Sequence, residues 1–146
     1  MRLLIINGPN LNNIGTREPN IYGNIRFSEY LDQLKNSFSD VELTYSNSHY
    51  ESELVAHLHL AEEYDGVILN AGAYSHTSVV IRDAIAAIST PVVLVHISNV
   101  YARETFRSKS IVAPVCKGII TGFGLDSYKI AILSFLANYG KYKDVT

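Results

Sequence analysis

Short runs of aliphatic and β-branched residues recur along this chain, and the segments between them carry a helical rhythm; no other feature constrains the fold as strongly. The runs are RLLII (2–6), VELTY (41–45), GVILN (66–70), PVVLVHI (91–97) and KGIITG (117–122). Several are apolar on consecutive positions, the pattern of strands covered on both faces. Between them, Phe27, Tyr30, Leu31, Leu34 and Phe38 follow the i, i+3, i+4, i+7 spacing, and Tyr128, Ala131, Ile132, Phe135 and Leu136 repeat it. Leu54, Leu58 and Ala61 mark another helix, Val80, Ala84, Ala87 and Ile88 a further one, and a shorter helix is predicted near Arg103–Arg107.

Strand–helix alternation repeated five times predicts an α/β fold, a parallel sheet between two helical layers. For five strands the expected order is the flavodoxin-like 2-1-3-4-5. The 146 residues, 47% apolar and 18% charged, suffice for one domain (1–146) with a sizeable core, and no linker or repeat divides them. A net charge of −2 gives no electrostatic case for nucleic acid or an anionic membrane surface as partner. The single cysteine, Cys116, cannot form an internal disulfide. MRLLIINGPN is too short in its apolar part for a signal peptide, and no run approaches the length of a membrane span, so a cytoplasmic location is expected.

In doubly wound sheets ligands bind beyond the carboxyl ends of the strands, where strand order reverses. Here that rim receives NGPNLN (7–12), NAGAYSHTS (70–78) and HISN (96–99). Each cluster alone reads as turn chemistry, since Asn, Gly, Pro and Ser dominate turns. Three on one rim point to a site. His96 ends a strongly apolar strand, a position suited to an acid or base. His76 stands near a helix start, where a capping role is the alternative. His57 and His59 are two apart on a helix and do not face each other, and no His, Cys or carboxylate spacing matches a zinc or iron site, so no metal is expected. Neither a dinucleotide fingerprint nor a Walker sequence follows any strand, and no Ser sits in a nucleophile elbow.

A cofactor-free site built on His96 and the segment Arg17–Tyr22 remains. A tyrosine acting as a base must stay ionised about three pH units below its usual value near 10, which takes roughly 4 kcal/mol of preferential stabilisation of the phenolate. Burial works against that, so a close cation is required, and Arg17, with Arg103 or Arg107, can provide it. On position alone, Tyr22 is one of ten tyrosines.

The blocks NGPNLNNIGTREPNIYG, NAGAYSHTSVVIRDA, VHISNVYARETFRSKS and GIITGFGLDSY, in this order, resemble type II 3-dehydroquinate dehydratase over nearly the whole chain. The resemblance implies a dehydratase that converts 3-dehydroquinate to 3-dehydroshikimate through an enolate, without metal or cofactor, in aromatic biosynthesis or quinate breakdown. It implies Tyr22 as the base, Arg17 on a mobile lid (about 11–23) as support for the charged tyrosine, Asn12 as the holder of a water at the enolate, and His96 as the acid. Asn70, His76, Ile97, Ser98 and Arg107 match positions that bind the substrate's hydroxyls and carboxylate. Asp83 matches an acidic residue that reaches a neighbouring subunit's site, which implies an assembly of trimers, commonly a dodecamer. The chain departs from the family pattern at Leu94, where glutamate is usual two residues before the acid histidine, and at Asn13, Ala71, Tyr101 and Ser108-Lys109. Residues two apart on a strand share a face, so Leu94 removes a neighbour that could orient His96. A non-catalytic flavodoxin-like binding module is the competing class, and Leu94 leans that way.

Overall fold

The computed structural model describes residues 1–11 and 25–138. Five parallel strands form one sheet: β1 (Arg2–Asn7), β2 (Glu42–Asn47), β3 (Gly66–Asn70), β4 (Val92–His96) and β5 (Gly118–Thr121), in the order β2-β1-β3-β4-β5. This is the order expected from the strand–helix alternation. Strand alternation sorts the core into two layers. Leu3 and Ile5 of β1 point to one face, where they meet α1 (Phe27–Ser37) and α4 (Asp126–Ala137). Leu4 and Ile6 point to the other, against α2 (Glu51–His59) and α3 (Val79–Ala87). Because successive side chains of a strand point to opposite faces, a sheet with helices on both sides needs apolar residues at every position. β3 and β4 are accordingly buried throughout.

β5, a terminal strand of the sheet, is less covered than β3 and β4, and its first two residues are exposed. The structure departs from the sequence expectation at two places. The buried stripe of α3 is Ile81, Ala84 and Ile85, whereas Val80 and Ala87 face outward. The helix starts late, at Val79, because Ser78 is its cap: the Ser78 hydroxyl accepts the Ile81 N–H at 3.1 Å. Finally, Arg103–Arg107 is not an α-helix. Two 3-10 turns, Val100–Ala102 and Thr105–Ser108, flank an extended Arg103, and the segment offers no apolar stripe that could hold a longer helix against the sheet.

The loops after β1 and β3 are locked together. Gly8 N–H donates to the Asn70 carbonyl at 2.7 Å, and the Asn47 amide donates to the carbonyls of Asn7 and Gly8 at 3.2 Å each. A Cβ on residue 8 would lie 2.8 Å from the Ala71 carbonyl oxygen, which is backbone and cannot swing aside. Gly8→Ala is therefore expected to destabilise the protein by about 1–3 kcal/mol, read as a lower denaturation midpoint in urea. An unchanged midpoint would show that the loop after β1 can move away from β3 at no cost.

Among the described residues no helix is long and apolar enough to cross a membrane.

Candidate active site

Asn7, Asn70 and His96 end β1, β3 and β4, and their loops enclose a cleft of about 230 Å³ on that edge of the sheet. Asn70, His76, His96, Ile97, Ser98 and Arg107 all line it, so six of the residues singled out in the sequence meet in one place. Arg103, foreseen only as a supporting cation, lines it too.

His96 is 6% exposed. Its ring stacks on that of His76, with centroids 5.9 Å apart and planes 16° from parallel. Burial, then the positive charge carried by His76, Arg103 and Arg107, lowers the His96 pKa to about 4. All these influences disfavour the imidazolium, so without an anion in the cleft the ring is neutral at neutral pH. His76 Nδ1 lies 2.6 Å from the Lys109 carbonyl. A carbonyl only accepts, so Nδ1 carries a proton. The 3-10 turn Gly72–His76 delivers His76 to the cleft, ahead of α3 rather than on it.

Two guanidinium groups give the cleft its charge. Arg103 donates to the Ser98 hydroxyl at 3.2 Å, which fixes that side chain at the cleft's edge. Arg107 Nε donates to Glu104 at 2.5 Å, and Glu104 also lies 4.0 Å from Arg103 Nε. One carboxylate against two guanidiniums leaves a net positive charge, suited to an anionic ligand. Ile97, 3% exposed, contributes apolar wall and backbone.

Leu94 is fully buried among the apolar residues of the α2–α3 face, on the same side of β4 as His96. Among the described residues no carboxylate stands beneath the histidine there; the stacked His76 ring is its neighbour. Asp83 is exposed on α3, 3.6 Å from Arg82, and is not part of the cleft wall. Asn12, Arg17 and Tyr22 lie outside the described residues.

Several residues of the site were not foreseen. Asn10, which lines the cleft, has a left-handed backbone (φ 66°), a conformation asparagine tolerates better than most residues. Its N–H donates to His49 Nδ1 at 3.2 Å, and the Tyr74 hydroxyl holds the His49 carbonyl at 2.9 Å. His49, which reads in the sequence as part of a polar loop, thus pins the start of the segment that leads away from β1. Asn7 does not line the cleft; its fully buried amide bonds Tyr128 and Tyr45. Tyr128 reads in the sequence as one more residue of an apolar helical stripe, and nothing there shows that its hydroxyl reaches the strand ends.

Comparison with known proteins agrees with this geometry. The family model for dehydroquinase class II matches residues 1–136. A 3-dehydroquinate dehydratase of an Exiguobacterium species is 53% identical over 99% of this chain and 100% of its own length. One from Bacillus licheniformis is 50% identical over 95% and 98%. The crystal structure of type II dehydroquinase from Butyrivibrio crossotus superposes with a TM-score of 0.90 at 40% identity, covering 93% of this chain and 97% of that one. With the sheet order, the cleft and these matches in agreement, the chain belongs to the class II dehydroquinase family.

Proposed function

We propose that this member of a family of 3-dehydroquinate dehydratases converts 3-dehydroquinate to 3-dehydroshikimate by elimination of water through an enolate. Tyr22, as phenolate beside Arg17, removes a proton from the carbon next to the ketone, and the electron pair of that C–H bond moves onto the ketone oxygen. A water held by the Asn12 amide donates a hydrogen bond to the enolate without bringing a full positive charge. The enolate then collapses: a carbon–carbon double bond forms, the carbon–oxygen bond to the leaving hydroxyl breaks, and His96 supplies the proton that releases it as water. Arg107 takes the substrate carboxylate, while Asn70, His76, Ile97 and Ser98 hold its hydroxyls and flank.

The observation that carries this reading is the stacked His76–His96 pair sharing a single cleft with Arg103 and Arg107. Neutral hydrogen-bonding groups together with surplus positive charge suit a polyhydroxylated carboxylate. The charge also bears on timing. A carboxylate bound at Arg107 offsets part of the positive charge that holds His96 neutral, so substrate binding itself raises the affinity of the ring for the proton it must deliver. Asp83 is exposed and does not line its own cleft, which leaves it available to a neighbouring subunit's site in a trimer, with trimers assembled into a dodecamer.

The direct test is to add 3-dehydroquinate and follow the absorbance of the conjugated enone product. A steady rise is expected, and a flat trace from folded protein would reject the activity.

A further inference from the structure

The buried polar chain beneath the cleft has a consequence for the way Asn70 meets the substrate. Tyr128 is fully buried on α4, with its ring edge-on to Phe27 at 4.9 Å. Phenylalanine would fill that apolar space equally well, so packing does not explain the hydroxyl. The hydroxyl donates to Asn7 Oδ1 at 2.6 Å and accepts from Asn70 Nδ2 at 2.8 Å. At the far ends, Asn70 Oδ1 accepts the Gly72 N–H at 3.2 Å, and Asn7 Nδ2 donates to the Tyr45 hydroxyl at 3.3 Å.

We infer that Tyr128 is a positioning residue for substrate binding, its hydroxyl locking the side-chain amide of Asn70 in the one orientation that presents a fixed N–H to the cleft. The locking follows from counting protons. A phenol has one, and here it is committed to Asn7, so the phenol oxygen can only accept from Asn70. If the Asn70 amide turned over, its oxygen would meet that oxygen and its NH₂ would meet the Gly72 N–H, leaving two unsatisfied contacts in a buried place. The orientation is therefore set by the network around it. Burial, the largest influence on the Tyr128 hydroxyl, raises its pKa well above the ordinary tyrosine value, so its single proton stays in place over the whole working pH range. One N–H of Asn70 is used by Tyr128, and the other is left for a ligand in the cleft that Asn70 lines.

This inference rests on the binding role proposed above for Asn70, and the experiment separates the two. In Tyr128→Phe the KM for 3-dehydroquinate is expected to rise about tenfold, with a smaller change in kcat, because the lost contact holds substrate and transition state alike. In an Asn70→Ala background the same Tyr128→Phe change is expected to have no further effect on KM, since there is no amide left to orient. Equal effects in both backgrounds would overturn the inference and make Tyr128 a packing residue only. An Asn70→Ala variant with wild-type KM would instead reject the role of Asn70, and a wild type without turnover would reject the activity. If Tyr128→Phe does not fold, Asn7→Ser serves in its place, because it frees the phenol proton to turn toward Asn70 and should raise KM in the same non-additive way. A readout independent of turnover is the pair of Asn70 side-chain NH₂ resonances in the full chain, assigned by their loss in Asn70→Ala. They should shift and exchange faster with solvent in Tyr128→Phe, and unchanged resonances would overturn the inference.

Discussion

Replacing Tyr22 by phenylalanine is expected to lower kcat by about 10²- to 10⁴-fold, the usual contribution of a positioned acid or base, while substrate still binds and the fold persists. The reasoning starts from the acidity of the two partners. A carbon-bound proton beside a ketone is weakly acidic, and a neutral phenol with a pKa near 10 is a poor base for it at pH 7. The scheme needs the phenolate, and only nearby guanidinium charge can hold it in a partly dry cleft. Arg103 and Arg107 bring that charge to the wall formed after β4, and the proposal adds Arg17 from the same segment as Tyr22. Phenylalanine keeps the ring but has no oxygen to take the proton, so the loss should fall on kcat. Circular dichroism and a substrate-binding measurement accompany the rate. A variant that turns over at the wild-type rate would remove Tyr22 from the mechanism.

His96→Asn is expected to lower kcat on the same scale, about 10²- to 10⁴-fold, because no other imidazole stands at the end of β4 to protonate the leaving hydroxyl. The same variant has a second effect, on stability, and its sign follows from the direction of the pKa change. The folded protein holds His96 at about 4, against an ordinary 6.5 that the unfolded chain retains. Above pH 6.5 neither state binds the proton and the histidine adds no pH dependence. Between 6.5 and about 4 the unfolded chain binds a proton that the folded chain refuses, so the wild type loses stability as pH falls. Across the whole window the loss reaches roughly 3 kcal/mol, and between pH 7 and pH 5 about 2 kcal/mol. Asparagine does not titrate, so His96→Asn should show a flatter decline over that range. Urea denaturation of both proteins at pH 7 and pH 5 makes the comparison. Parallel declines would mean that the folded ring is free to protonate.

Much of the fold is legible in the residues because two periodicities coincide with two physical demands. GVILN and VVLVH are apolar at every position because both of their faces are covered, while Phe27, Tyr30, Leu31 and Leu34 repeat at helical spacing because one face is covered. The same logic explains the misreading of α3. Val79, Val80 and Ile81 follow one another and all look apolar, so the composition does not say which of them faces the sheet. The cap does: Ser78 starts the helix and turns Ile81 inward.

The candidate site divides the same way. His76 and His96 could be singled out because chemistry-bearing residues stand where apolar strands end, and a parallel sheet brings all such ends to one edge, whereas the binding roles of Asn70, Ile97, Ser98 and Arg107 followed only from the resemblance of the blocks around them. What each then does was not legible. Asn7 and Asn70 are the same residue type at paired positions of β1 and β3, yet one lines the cleft and the other supports it from below. The difference comes from Tyr128, 121 positions from Asn7 along the chain, whose hydroxyl α4 carries to both amides. The sequence by itself determined the alternating elements, the order in which they stack and the edge where polar groups collect, since these follow from local periodicity and from the rules of parallel connection. Tertiary structure alone decided the stacking of His76 on His96, the surplus charge beside Arg103 and Arg107, and the orientation of Asn70. Those depend on distances of a few ångströms between residues remote in sequence, and the strength of a hydrogen bond or a charge changes sharply over such distances while the pattern of residue types does not.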